Sequence, residues 1–282
     1  QRSIVNAMKS KNVKVNAVAG SGKTTTVCMM ARDIDENFLL LTYNKRLKFE
    51  TKNRVTQNGL LNIHVHNYHS FCFNKYLVHG TTDQMIIDTL EKYKPGNKCS
   101  PIEFNYHTIV IDEAQDLTPL YVRLIKLIIS HNVRKPKMCV IGDVRQTIYK
   151  FNGADSRFLE HSDAIFNVNK KPWIELSLST SYRLSVPMAN FLNHSILHDN
   201  VIVGNGKGYK PRYLFCNSFS NAIVDELMNF YIAKGYQYKD IFVLAPSIQS
   251  DLSPVKTFAN TLSEYHGVPI FIPTSSALSC SN

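Results

Sequence analysis

Two short segments carry groups suited to handling phosphates. Residues 17–24 read Ala-Val-Ala-Gly-Ser-Gly-Lys-Thr, and residues 111–116 read Ile-Asp-Glu-Ala-Gln-Asp. In the first, the backbone N–H groups of Ala19, Gly20, Ser21 and Gly22 can turn toward an anion at the start of a helix, where the helix dipole also favours negative charge. Lys23 then reaches the β- and γ-phosphates, the Thr24 hydroxyl takes a Mg2+ position, and Thr25 lines the same cradle. In the second segment, Asp112 is placed to hold Mg2+ directly or through water, and Glu113 to orient or deprotonate an attacking water. The pair implies hydrolysis of ATP or a close relative. An isolated Asp-Glu at a strand end is more often a solvated turn, but here the phosphate loop accompanies it.

A third segment, 142–154, reads Gly-Asp-Val-Arg-Gln-Thr-Ile-Tyr-Lys-Phe-Asn-Gly-Ala. Gln146 can hydrogen-bond a γ-phosphate or the attacking water and so sense loss of the phosphate. Tyr149 and Phe151 can stack on nucleic-acid bases, or simply pack in a core. His64, His66 and His69 invite a metal reading. Strand alternation points the first two to one face, however, and no carboxylate or cysteine partner lies near in sequence, so a metal site is not expected there.

These residues need a scaffold that delivers loops to one rim. Strand-like runs at 13–18, 37–43, 61–66, 107–112, 137–142 and 173–178 alternate with helical patterns at 2–9, 23–34, 44–54, 68–78, 82–93, 118–131 and 155–160. Such alternation predicts an α/β fold, a parallel sheet with helices on both faces, whose ligands bind at the carboxyl ends of the strands. A turn-rich stretch at 94–106 follows a short helical insert. A second, shorter α/β unit is predicted beyond residue 180, with helices at 185–197, 218–234 and 255–266 and strands at 211–216, 240–245 and 269–272.

Bulk properties agree with a folded ATPase of one large or two medium domains. The 282 residues are 44% hydrophobic, and the net charge of +10 suits a polyanionic partner. The six cysteines are widely spaced without a CxxC pair, which suggests reduced thiols and neither a disulfide frame nor a metal site. No apolar run approaches the ~20 residues of a membrane span, and the first residues form no secretion signal, so an intracellular, soluble protein is the default expectation.

The motifs AxxGxGKT (17–24), DEAQD (112–116), GDxxQxIYxFxGA (142–154) and Ser-Tyr-Arg (181–183), in this order, resemble motifs I to IV of the UvrD/Rep/PcrA-type superfamily 1 helicases. Gln1 in Gln-Arg-Ser-Ile-Val resembles the adenine-reading Q motif of that family. The run 42–45, Thr-Tyr-Asn-Lys, resembles motif Ia, and the run 68–71, Tyr-His-Ser-Phe, resembles the DNA-contacting motif after it. The Ser-Tyr-Arg and Tyr-Asn-Lys spellings look closest to the F-box DNA helicase branch.

The resemblance implies a RecA-like P-loop NTPase motor domain over 1–180, with a short insert at 79–106, and an incomplete second RecA-like domain over 181–282. It implies an ATP- and Mg2+-dependent DNA helicase or single-strand translocase moving 3′ to 5′. Arg183 would reach the γ-phosphate from the second domain, and Tyr43, Asn44, Lys45, His69, Tyr149 and Phe151 would contact the strand. The implied partner is single-stranded or tailed duplex DNA. The family's last two motifs do not occur before Asn282, so the chain reads as an N-terminal fragment that the C-terminal part of the same protein would complete. The competing readings are a nucleotide- and strand-binding fragment with little turnover, and an RNA helicase of the same superfamily.

Overall fold

The computed structural model describes residues 1–43, 45–80, 82–97, 102–245, 247, 250 and 253–271. Six strands form one parallel sheet: β1 (Asn12–Ala17), β2 (Phe38–Thr42), β3 (Ile63–Asn67), β4 (Thr108–Ile111), β5 (Lys137–Gly142) and β6 (Trp173–Leu178). Their order across the sheet is β3-β2-β4-β5-β1-β6. The inner strands β2, β4 and β5 are apolar on both sides because both faces are covered, as parallel sheets require.

Period-two alternation divides the side chains of each strand between two cores. Leu39, Leu41, Ile109, Ile111, Met138 and Val140 face one side, where they meet α4 (Tyr68–Phe71), α5 (Asp83–Lys92) and α6 (Pro119–Ser130). Phe38, Leu40, Val110, Cys139, Ile141, Val13 and Val15 face the other, against α1 (Arg2–Met8), α2 (Lys23–Asp33) and α3 (Lys45–Gln57). Helix α6 begins where the sequence supplies a cap. Thr118 accepts a hydrogen bond from Tyr121 N at 3.3 Å, and Pro119 fills the first helical position.

Because all six strands run the same way, their carboxyl ends share one rim. The register sets Asn16 beside Gly142, Ile111 beside Val140, Leu41 beside Ile111 and Thr42 beside Asn67. The phosphate loop, the DEAQD segment, the 142–154 segment and the segments after β2 and β3 therefore all emerge together. Short helices α7 (Arg157–Glu160), α8 (Ser162–Ile165) and α9 (Val186–Phe191) complete this part of the chain.

The chain divides into two compact units, 1–211 and 212–282, not at the expected 180/181 boundary. The shift has a local cause. Residues past β6 stay on the first unit: Ser181 Oγ donates to Ala19 O at 2.7 Å, Tyr182 N donates to Gly20 O at 2.9 Å, and Ser181 N donates to Val203 O at 2.8 Å.

In the second unit, α10 (Asn221–Ala233) and α11 (Pro254–His266) pack through Val224, Met228 and Leu262. Thr261 Oγ1 donates to Asn221 Oδ1 at 3.0 Å between them, and His266 meets Asp225 at 2.8 Å. The strands expected at 211–216 and 240–245 are not formed, nor is 269–271, and Ile272 lies outside the described residues. Phe215 is 97% exposed and Leu244 90%, so one side of these runs is bare. A parallel ladder is stable when both faces are covered, and this one is not. No helix among the described residues is long and apolar enough to cross a membrane.

Candidate active site

The phosphate loop leaves β1 at Ala17 and enters α2 at Lys23, with Gly20 (φ 72°) and Gly22 (φ 86°) both left-handed. Glycine is needed at Gly20 for a second reason, whereas at Gly22 the neighbour is the movable end of a side chain. A Cβ at Gly20 would lie 2.5 Å from Arg183 Cβ, and one at Gly22 would lie 2.5 Å from Gln1 Nε2. Gln1 rests on the loop, its amide donating to Ser21 O and Gly22 O at 3.4 Å each. Ser21 Oγ is buried without a hydrogen-bond partner among the described residues. Thr24 is half-buried and Thr25 exposed at the first turn of α2.

Lys23 Nζ lies 3.0 Å from Glu113 Oε2, joining the two motifs across β5. Glu113 has φ 53°, a left-handed conformation that costs a residue with a Cβ about 1–2 kcal/mol. Its neighbour Asp112 is 5% exposed and receives Glu113 N at 3.0 Å. Burial, and then the Glu113 carboxylate, push the Asp112 pKa well above the carboxylate range, with Lys23 opposing. Asp116 is raised to about 6 by the same two causes.

A hydrogen-bonded chain leads from this acid cluster to the 142–154 segment. Gln115 Nε2 donates to Glu113 Oε2 at 3.0 Å, and Gln115 Oε1 accepts from Asp143 N at 3.0 Å. Asp143 Oδ2 in turn accepts from Gln146 Nε2 at 2.9 Å, while Arg145 Nε pairs with Asp143 Oδ1 at 3.0 Å. Gln146 is thus near the acids but bonded to Asp143. Gln115 and Asp143 carry no role that their neighbours in sequence would announce. Their polarity at 2% and 4% exposure is the tertiary signal that marks them, since buried polar groups must be partnered.

Arg183 lies in the first of the two compact units. Its backbone runs against Gly20, held where Ser181 Oγ accepts from Arg183 N at 3.3 Å and from Leu184 N at 3.1 Å. The Arg183 side chain is exposed, as is the Tyr182 ring beside it.

Along the same rim, aromatic rings line up. Tyr43, after β2, lies 5.1 Å from Tyr149 between ring centroids, and Tyr149 lies 6.1 Å from Phe151, which is 81% exposed. Lys45 opens α3 and is exposed; Asn44 lies outside the described residues. On α3, Lys48 is lowered in pKa by partial burial and then by Lys52 and Lys45, like charges set close together. His69 is paired with Asp83 at 3.0 Å. The two strand histidines make separate contacts: His64 Nδ1 meets Tyr106 OH at 3.3 Å, and His66 packs edge-on to Phe71, its pKa lowered by burial to about 4.

Residues 79–167 match the family described as the UvrD/REP helicase N-terminal domain. A probable DNA helicase II homolog of Mycoplasma capricolum subsp. capricolum is 30% identical over 149 residues, which cover 49% of this chain and 19% of that protein. The F-box DNA helicase protein 1 of Schizosaccharomyces pombe is 32% identical over 119 residues, 41% of this chain and 12% of that protein. The chain therefore spans less than a fifth of either relative. Among solved structures, unliganded Pif1 from Bacteroides sp. is similar over 68% of this chain and 44% of that one, at 18% identity and a TM-score of 0.39.

Proposed function

We propose that this chain, similar over residues 79–167 to the UvrD/REP helicase N-terminal domain, hydrolyses ATP to move along and separate DNA strands. The observation that carries the reading is the 3.0 Å contact between Lys23 and Glu113, which brings a phosphate-binding cation and a candidate base to one point. The phosphates of ATP draw Lys23 away from Glu113, and the freed carboxylate accepts a proton from the attacking water. Gln146 reports on the phosphate through Asp143 and Gln115. Arg183 is already beside the loop and extends toward the γ-phosphate, while Gln1 faces the base side of the cradle.

The donor set fits a divalent cation. Asp112 is buried with a second carboxylate beside it, an arrangement whose charge a cation relieves, and Thr24 follows Lys23 in the first turn of α2. Asp112 and Thr24 would hold Mg2+, which would supply charge neutralisation at the phosphates. The unpartnered Ser21 hydroxyl is a donor available to the same anion.

Tyr43, Tyr149 and Phe151 form the face on which bases stack, with His69 and Lys45 at its border. The crowded lysines of α3 favour a polyanion alongside, held without regard to sequence. Movement is 3′ to 5′ by resemblance, and residues 212–282 are read as part of a second motor domain. Closing and opening of the nucleotide cleft then shifts the strand.

The test is phosphate release by the 282-residue chain with ATP and Mg2+, with and without oligothymidylate, using Lys23→Ala as the blank. Release that rises with oligothymidylate and vanishes in the blank supports the reading. Equal release from wild type and blank overturns it, and stronger stimulation by oligouridylate than by oligothymidylate overturns the assignment to DNA.

A further inference from the structure

Tyr121 lies outside every motif, on the first turns of α6, yet it touches residues from two segments of the rim. Its ring stacks on Tyr68 at 4.4 Å with an interplanar angle of 13°. It also meets Tyr43 edge-on at 6.3 Å and His69 edge-on at 6.2 Å. Tyr43 in turn carries Tyr149, and Tyr149 carries Phe151, so five rings run in succession from buried Tyr68 to exposed Phe151.

The polar end of Tyr121 is fixed as well. Its hydroxyl donates to Asp83 Oδ1 at 3.2 Å, and His69 Nε2 meets the same oxygen at 3.0 Å. Asp83 is the first residue of α5, the helix of the short insert. One carboxylate oxygen thus ties the insert both to a proposed strand-contact histidine and to the ring that supports Tyr43. Tyr121 is 8% exposed and itself too covered to stack on a base.

Resting on the proposed strand face, we infer that Tyr121, anchored by Asp83, is the positioning residue for that face, setting Tyr43 and His69 at a fixed separation. Rigid support matters here because stacking depends on ring placement, and a ring free to turn loses contact with a base. The insert helix becomes a structural input to strand binding, distinct from the nucleotide cradle. Asp83→Asn and Tyr121→Phe each remove the charged or hydroxyl half of the anchor while retaining shape. Tyr121→Leu removes the ring.

The experiment measures oligothymidylate affinity by fluorescence anisotropy and ATP affinity without oligonucleotide, in the 282-residue chain. Tyr121→Leu should weaken oligothymidylate binding about tenfold, within the range of losing one stacking partner, with ATP affinity and strand-independent phosphate release unchanged. Tyr121→Phe and Asp83→Asn should fall between it and wild type. A general packing defect predicts instead that ATP affinity and melting temperature fall together with strand binding in all three variants, and that result overturns the inference. So does wild-type affinity in Tyr121→Leu. Wild-type protein that fails to bind oligothymidylate at all overturns the strand face and this inference with it, whereas binding by wild type and by Tyr121→Leu alike overturns this inference only.

Discussion

The ammonium of Lys23 and the carboxylate of Glu113 sit 3.0 Å apart, with side-chain exposures of 12% and 18%. Each arrives at the end of a different strand, and β5 separates those strands in the sheet. The pair satisfies two charges that would otherwise be poorly solvated, and it occupies the lysine proposed to bind ATP. Substituting Glu113→Gln removes the charge and the base while keeping the hydrogen-bonding shape. Phosphate release should fall by about 10²- to 10⁴-fold, the usual worth of a general base, while ATP affinity is kept or increased because Lys23 loses its competitor. Phosphate release and binding of a fluorescent ATP analogue, measured side by side, check both halves.

Asp116 links this cluster to pH. Its pKa is raised to about 6 by burial and by Glu113, so the folded protein binds more protons there than the unfolded chain. Stability from this group is therefore lost as pH rises from about 4 through 6. His66 acts in the opposite sense, since its lowered pKa of about 4 makes stability fall as pH drops below about 6.5. The difference between Asp116→Asn and wild type isolates the first effect. With nucleotide and Mg2+ absent, the variant should gain on the order of 1–3 kcal/mol relative to wild type between pH 5 and pH 8. Urea denaturation at the two pH values measures it, and a pH-independent difference would contradict it.

Ser181 holds the Ser-Tyr-Arg segment against the phosphate loop and is fully buried. Ser181→Ala leaves Ala19 O without that donor and the N–H groups of Arg183 and Leu184 without that acceptor. It should cost about 1–3 kcal/mol in unfolding free energy and raise KM for ATP, because both the loop and Arg183 lose their registration. A lower urea midpoint with unchanged KM would separate the structural role from the proposed placement of Arg183.

Phe151 and Lys45 test two different components of strand binding. Phe151→Ala should weaken oligothymidylate binding by about 1–3 kcal/mol, the worth of one stacked base, and spare ATP affinity in the absence of strand. Lys45→Ala should lower the slope of log affinity against log salt by about 0.7, one phosphate contact on a single strand. Anisotropy titrations over a range of salt concentrations read both. An unchanged affinity in Phe151→Ala removes that ring from the face.

Local chemistry was open to inspection in the chain itself. Gly20 and Gly22 flank a turn that only left-handed residues allow, and the continuous apolar runs at 38–41, 109–111 and 138–141 announce strands with two covered faces. The same patterns failed at 211–216 and 240–245, where apolar residues of strand type lack a ladder and a second covering layer. Periodicity reports what a segment can do when its neighbours are present, and tertiary packing overrides it when they are not.

By itself, the sequence determined which backbone turns are possible, which groups can hold a phosphate and which segments are apolar, because these depend on side-chain type over a few consecutive positions. Tertiary structure alone decided that β5 lies between β1 and β4, that Gln115 and Asp143 connect Glu113 to Gln146, that Arg183 packs on the first unit, and that Asp83 and Tyr121 meet His69. Those relationships arise from strand order and from the need to satisfy buried polar atoms across the fold, and neither leaves a periodic trace along the chain.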